Sequence, residues 1–474
     1  MQTTSPAFKA NVAEALADPG LQKALHFTRP RFPERRAAAV AALPEFEALR
    51  DIGRDIKNHT LANLDFYLET WADNVEKSGG HVHWCATADD ARAAVLAICQ
   101  RVGAKTVTKG KSMISEELGI NEHLEKHGIA PVETDLGEYI LQIRGEGPSH
   151  IIAPAFHLNR EDWEESFRKT HTDLPADRVF GERRDIMVEA RSILREKFIA
   201  ADVGITGANF LIAETGSSVI VTNEGNGDLT QTLPKIHIAL ASIEKVVPTL
   251  EDATSLLRLL ARSATGQDFS VYTTFSTGAR RPDDLDGPEE YHVVLIDNGR
   301  SAMIGTEFQD MLRCIRCAAC MNHCPVYFTV GGHAYGWVYP GPMGSVLTPS
   351  LIGIEKAGHL PNASTFCGKC ESVCPVKIPL PKLMRHWRER EFERHLTPGA
   401  LRTNLGIWAW FARRPQLYRM ATRAAAWGLG FLGRKRGRFA WLPFASSWTD
   451  GRDLPAPEGD TFFARYAREQ RNKP

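Results

Sequence analysis

Charge of one sign is not in excess: 57 Lys and Arg stand against 57 Asp and Glu, so the 474-residue chain has no formal net charge. A global electrostatic footprint for nucleic acid is therefore missing. No apolar run approaches the ~20 residues that span a bilayer. The opening Met1-Gln-Thr-Thr-Ser-Pro lacks the charged segment and apolar run of a secretory signal. Nucleotide loops are lacking too. Gly110-Lys111-Ser112 resembles the end of a phosphate-binding loop, but Lys105 stands where its first glycine belongs. Gly225-Asn-Gly227 begins a dinucleotide fingerprint, yet position 230 is Thr. No NAD, FAD or ATP motif is visible. Of nine cysteines, only Cys85 and Cys99 lie outside two short runs. That is poor material for a disulfide framework, and the sequence predicts a reducing cytoplasm.

The other seven cysteines carry the chemistry. Cys314-Ile-Arg-Cys317-Ala-Ala-Cys320-Met-Asn-His-Cys324-Pro325 is a complete C-x₂-C-x₂-C-x₃-C-P run of the bacterial iron–sulfur type. Three close thiolates serve one cluster, and the fourth, before proline, ligates the other cluster in two-cluster ferredoxins. A second run, Cys367-Gly-Lys-Cys370-Glu-Ser-Val-Cys374-Pro375, repeats the spacing, with Ser364 in place of its first cysteine. A zinc site would want paired C-x₂-C units supplying four ligands. Seven cysteines in two proline-ended runs point to iron–sulfur clusters instead.

Around this centre the chain divides into a helical segment (1–60), an α/β region (61–300), a cluster module (301–395) and a basic, Trp-rich region (396–474). Leu61, Leu64, Leu68, Trp71 and Val75 recur at three- and four-residue steps, predicting one helix face that ends at Gly79-Gly80. Strands are expected at 81–85, 105–109, 150–153, 201–206, 218–222, 235–239 and 292–296, with helices at 88–102 and 115–127. Such alternation predicts a largely parallel sheet. The cluster module reads as mainly helical, with segments at 307–314 and 380–394 and turn-rich Tyr339-Pro-Gly-Pro-Met-Gly between the cysteine runs. In the final region Trp408, Trp410, Arg413, Arg414, Arg419, Arg423, Trp427, Arg434, Lys435, Arg436, Arg438 and Trp441 accumulate. The expectation is a helical tail packed on this protein or a partner, with peripheral membrane contact as the alternative.

Longer motifs give a resemblance. Asn63-Leu-Asp-Phe-Tyr-Leu, Lys111-Ser-Met, Glu133-Thr-Asp-Leu-Gly-Glu-Tyr and Ser149-His-Ile-Ile-Ala-Pro-Ala come first. Asp202-Val-Gly-Ile-Thr-Gly, Val221-Thr-Asn-Glu-Gly-Asn-Gly, Gly287-Pro-Glu-Glu and Ile296-Asp-Asn-Gly-Arg-Ser follow before the cysteine runs. In this order they resemble the iron–sulfur subunit of the lactate-utilisation system, the LutB/LldF family, over almost the whole chain. The resemblance implies an α/β LUD domain, similar to the NagB/ribose-5-phosphate isomerase/CoA-transferase-like fold, then a ferredoxin-type domain and a LutB-type helical tail. It implies oxidation of L-lactate to pyruvate with LutA-like and LutC-like partners, the electron acceptor being open. It places cluster 1, of 4Fe-4S type, on Cys314, Cys317, Cys320 and Cys374, and cluster 2 on Cys324, Cys367 and Cys370. Cluster 2 then has a non-cysteine fourth ligand (Ser364, His333, His359 or an exogenous group) or is a 3Fe-4S cluster.

Lactate oxidation removes two electrons and two protons, usually as a hydride passed to a flavin or nicotinamide. With none of those motifs here, the expected role is an electron-transfer subunit. The alternative is a small-anion-binding or redox-regulatory scaffold. Its candidate anion site is Lys109, Lys111 and Ser112 at a strand-to-helix turn, with Thr206, Asn209 and Glu224, and further turn residues Glu214, Asn223 and Asn226. His81 and His83 are read as structural.

Overall fold

A computed structural model describes residues 3–110, 112–443, 445–449 and 452–472. The chain forms two compact units, Met1–Glu391 and Phe392–Pro474.

Among the described residues of the first unit, ten strands occur in chain order. They are β1 (Gly80–Cys85), β2 (Thr106–Gly110), β3 (Ala130–Glu133), β4 (Val203–Gly207), β5 (Phe210–Ile212), β6 (Ser217–Thr222), β7 (Ile236–Ser242), β8 (Val246–Val247), β9 (Tyr272–Ser276) and β10 (Glu290–Ile296). Six of them build a sheet in the order β1-β10-β7-β4-β2-β3, with every neighbouring pair parallel. Its strands are apolar on both faces, as a sheet covered by helices requires. Val203, Ile205, Ile238 and Leu240 pack toward one side, and Ala239, Val293 and Leu295 toward the other. Successive crossovers run from β2 outward to β3, then back past β2 to β4. The crevice between β2 and β4, at their carboxyl ends, is thus a topological switch point, where open α/β sheets bind ligands. A smaller sheet, β8-β5-β6-β9, continues from β4 and β7 at that same edge.

Three local expectations are corrected. The segment 150–153 is a turn rather than a strand. Both Ile152 and Ala153 donate their N–H groups to His150 Nδ1 at 3.2 Å, which folds the backbone back on a buried ring. The helix expected over 115–127 is two, Met113–Leu118 and Ile120–Lys126, broken at Gly119 with φ +65°. Leu61 closes the helix Phe46–Ala62, and the buried stripe Leu64, Leu68, Trp71 and Val75 belongs to the next helix, Leu64–Lys77.

The N-terminal helices pack into one core with the cysteine module: Phe46, Leu49 and Leu61 join Leu256, Leu259, Met311, Leu312 and Tyr327. Arg50 donates from Nε and Nη2 to the Cys374 carbonyl at 3.0 and 2.7 Å. Arg36 Nη2 donates to the Val373 carbonyl at 3.0 Å, and Lys377 pairs with Asp51 at 2.6 Å. The second cysteine run is thus tied down by residues more than three hundred positions earlier.

The second unit holds helices Gly399–Ala412, Pro415–Gly433 and Phe462–Arg471, with a two-stranded pairing of Arg438–Phe439 and Leu454–Pro455. Neither Gly399–Ala412 nor Phe462–Arg471 has a buried residue, and Trp408, Trp410, Trp427, Phe431 and Trp441 are exposed. Among the described residues no helix is long and apolar enough to cross a membrane.

Candidate functional site

The cysteine loops are shaped by backbone conformations that L-residues rarely adopt. Arg316 and Ala318 have φ +59° and +60° inside the first run, and Phe366 and Lys377 have φ +53° and +49° around the second. Each such non-glycine residue costs on the order of 1–2 kcal/mol. Their gathering at the two cysteine runs marks a geometry imposed by what the loops wrap.

The seven thiols fall into two electrostatic sets. Cys317 neighbours Cys374 and Cys314, Cys320 neighbours Cys314, Cys317 and Cys374, and Cys374 neighbours Cys314. Cys324 neighbours Cys367, and Cys370 neighbours both Cys324 and Cys367. Cys320 is also within reach of Cys370, so the two sets adjoin. Cys374 thus sits with the first run and Cys324 with the second, the crossing typical of two-cluster ferredoxins.

Burial, then neighbouring thiols, push Cys317 and Cys320 far up. Burial also carries Cys374 to about 11 and Cys370 to about 12. Groups that resist ionisation alone become thiolates when a positively charged cluster displaces their protons. Backbone N–H groups already point at the sulfurs: Ile378 N donates to Cys374 Sγ at 3.4 Å, and Val326 and Tyr327 donate to Cys324. Hydrogen bonds of this kind to sulfur tune cluster potentials. Among the described residues no three His, Cys, Asp or Glu side chains gather tightly enough for a single metal ion. The wider sets, with inward N–H groups, fit multinuclear clusters.

The sets differ in their surroundings. In the first, Cys317, Cys320 and Cys374 are buried and Cys314 is half-buried; in the second, Cys367 is exposed. There, contacts from Lys369 N–H and Thr365 hold the Cys367 thiol below its ordinary value. Ser364 and His323 line a small cavity with Cys324, Cys367 and Cys370. Ser364 Oγ accepts from Phe366 N at 3.2 Å. The His323 Nδ1 bond to the Ala319 carbonyl, 2.8 Å, requires Nδ1 to carry the proton. That leaves Nε2 the lone pair, the usual arrangement of a metal-ligating histidine. Sequence reasoning passed over His323, although it directly precedes Cys324. His333 and His359 are occupied elsewhere, against the carbonyls of Gly147 (2.8 Å) and Ser5 (2.6 Å).

The candidate anion residues are scattered. Lys109 is buried and saturated by Glu116 (2.5 Å), Glu133 (2.6 Å) and Ser115 Oγ (2.8 Å). Thr206 bonds His237 Nε2 at 2.7 Å. Glu224 and Asn226 line a separate hollow beside Trp163 and Tyr272. Glu214 accepts from Leu250 N at 3.0 Å. Lys111 lies outside the described residues. Ser112, Asn209 and Asn223 do share one cavity, of about 190 Å³, at the carboxyl ends of β2, β4 and β7. His83 Nε2 lies 3.1 Å from His292 Nδ1, a contact within the sheet.

That cavity is walled by Tyr339 and by Lys245 and Arg316, two cations the sequence did not reveal. Behind them lies a buried charge network. Arg300, fully buried, grips Glu117 with two bonds of 3.0 and 2.6 Å. Asn298 and Tyr339 each donate to Glu117 at 2.7 Å. Glu244 lies 3.2 Å from both Arg300 and Arg316. Against the pull of burial, Arg300 and Arg316 hold the Glu244 carboxyl down to about 2. Lys57 donates to the Glu244 carbonyl at 2.5 Å.

Comparison with known proteins fits this architecture. The LUD domain matches residues 68–296 and the 4Fe-4S dicluster domain residues 310–378. Lactate utilization protein B of Macrococcus caseolyticus (strain JCSC5402) is 43% identical over 98% of this chain and 97% of its own length. Lactate utilization protein B of Bacillus subtilis (strain 168) is 41% identical over 100% of this chain and 99% of its own. An Escherichia coli (strain K12) protein, "Uncharacterized electron transport protein YkgF", is 40% identical over 99% of this chain and 98% of its own. The resemblance read from the motifs therefore extends over the full chain. With an α/β LUD domain followed by an iron–sulfur domain, the chain belongs to the lactate utilization protein B family.

Proposed function

We propose that this chain is the iron–sulfur electron-transfer subunit of a complex that oxidises L-lactate to pyruvate. In this reading it holds two clusters, one on Cys314, Cys317, Cys320 and Cys374 and one on Cys324, Cys367 and Cys370. The observation that carries it is the division of seven thiols into two adjoining sets, with Cys320 within reach of Cys370. Clusters held there supply one-electron transfer. The names of the relatives, lactate utilization and electron transport, support the pathway and the role.

The chain's own residues supply the setting. Backbone N–H groups and buried arginines compensate thiolate charge, and the apolar shell of Tyr327, Tyr335 and Met321 excludes water. Cleavage of the lactate C–H bond is a two-electron event, which we assign to a LutA-like or LutC-like partner. Ser364 or His323 fills the open corner of the second set. The parallel sheet, with its cavity at the carboxyl ends, supports a NagB/ribose-5-phosphate isomerase/CoA-transferase-like fold for the α/β part. We place the protein in the cytoplasm, its basic, Trp-rich second unit meeting a partner subunit or the inner membrane face.

The test is anaerobic electron paramagnetic resonance of the complex reconstituted with its partner subunits. Addition of L-lactate should reduce the clusters of this chain. Clusters that stay oxidised under lactate while the complex makes pyruvate would refute the role.

A further inference from the structure

The cavity at the switch point of the sheet is built for an anion. Two elements set it up. Gly207, the last residue of β4, and Asn209 just beyond it line the cavity; after β7, a single 3₁₀ turn, Ile243–Lys245, delivers two buried charges in succession. Glu244 turns to Arg300 and Arg316, whereas Lys245 lines the cavity. Lys245 is 8% exposed, and among the described residues its ammonium has no hydrogen-bond or ion-pair partner. The Arg316 Nη1 atom is likewise buried without a hydrogen bond, its Nη2 being the atom near Glu244. Buried cations are normally paired. Here two converge on one cavity with donor valence left over.

The local charge balance agrees. Lys57, Lys245 and Arg300 are buried and Arg316 is half-buried, and Glu117 and Glu244 are the carboxylates that pair with the two arginines. The surplus lies against Cys314, the half-buried thiol of the first set, which is an electrostatic neighbour of Lys57, Lys245 and Arg316. Part of the surplus offsets thiolate charge. That role alone does not explain why Lys245 and Arg316 line an open cavity. Burial, then Arg316, brings Lys245 down to about 8 against the opposing pull of Glu244 and Cys314. Two carboxylates also line the cavity, Asp135, which caps the helix Leu136–Arg144, and Glu138, an electrostatic neighbour of Lys109, and Ile152, Leu260 and Ala264 supply an apolar wall. A volume of about 190 Å³ is room for several waters and accommodates a small organic acid.

We propose that this cavity binds a small monocarboxylate, its carboxylate held by Lys245 and Arg316 beside the cysteine set that includes Cys314. Asn209 and Ser112 stand in the same cavity to meet a hydroxyl or keto oxygen. The choice of a 2-hydroxy or 2-oxo acid within the carboxylates rests on the functional reading above; the anion site itself does not.

The full-length protein, purified anaerobically with its clusters, is titrated calorimetrically with L-lactate, pyruvate and neutral lactamide. The variants are Lys245→Met, Lys245→Arg and, at the amino-terminal end of the strands where it pairs with Glu290, Arg101→Gln. The acids should bind and lactamide should not. Lys245→Met should weaken acid binding about 10- to 100-fold, the loss expected for a charge-assisted hydrogen bond. Lys245→Arg should recover much of it, Arg101→Gln should change nothing, and iron content should stay constant throughout. Absence of acid binding, equal binding of lactamide, or undiminished binding by Lys245→Met would overturn the site. So would a Lys245→Met variant that alters only cluster potential, since the cation would then serve thiolate charge alone. Should Lys245→Met fail to fold, the reduced starting protein is examined by electron paramagnetic resonance with and without pyruvate. A changed signal from the Cys314 set is expected, and an identical spectrum overturns the site. Acid binding without lactate-driven cluster reduction would sink the electron-transfer reading and leave the site standing; the reverse would sink the site alone.

Discussion

The two cysteine sets share motif spacing, terminal prolines and left-handed loop residues, yet they differ in ligand count and in depth. The first has four thiols, three of them buried, locked from behind by Arg36 and Arg50. The second has three thiols, one exposed, around a cavity that Ser364 and His323 also line. Soft thiolates hold iron strongly, and ligand type and solvent access tune both lability and potential. The contrast teaches that two copies of one motif can be set to different tasks by what surrounds them. The deep set adjoins the cationic cavity through Cys314, whereas the shallow set presents Cys367 to solvent.

The comparison breaks most sharply at the thiols. Cys317→Ser should remove one cluster, lowering iron from roughly eight to roughly four per chain if both are cubanes, and should leave the second set's signal in place. Cys370→Ser should do the converse. Loss of both clusters from either variant, by iron and sulfide analysis, would show that the sets are not separable.

A smaller effect is expected behind the first set. Arg50→Met removes two hydrogen bonds to the Cys374 carbonyl and should cost about 2–3 kcal/mol. Thermal unfolding followed at the cluster absorbance should show a lowered midpoint, with the first set bleaching before the second. Equal bleaching would mean that Arg50 supports the fold and not one set.

The smallest effect on the comparison comes from the second compact unit. Deleting residues 392–474 should leave iron content and both signals unchanged while abolishing co-purification with the partner subunit. Loss of clusters on truncation would make the unit part of the cluster-bearing core. Binding of the intact chain to anionic vesicles, weakened by salt over a screening length of ~10 Å at 0.1 M, would point to a membrane surface instead.

What the sequence made legible was what is local. Ligand spacing is a property of a few consecutive residues, so the cysteine runs were readable, as were the main parallel strands from their apolar runs. The cavity was not, because its parts come from distant places. Lys245 looks like any lysine after a strand until the 3₁₀ turn that follows β7 buries it. Arg316 was hidden as filler between two cysteines. Lys109 drew notice at a strand-to-helix turn, but Glu133, on the neighbouring strand β3, and Glu116 neutralise it. His150 read as part of a strand because Ile-Ile-Ala follows it; its ring captures two backbone N–H groups and turns the chain.

The inequality of the sets is tested most directly by mild oxidation of the anaerobically purified protein, followed by electron paramagnetic resonance. The account predicts a new three-iron signal arising from the second set while the first remains intact. Ser364→Cys should suppress that signal if the serine stands at the open corner. If suppression fails, His323→Ala should increase the conversion, assigning the corner to the histidine. Equal oxidative loss from both sets in the starting protein would contradict the account.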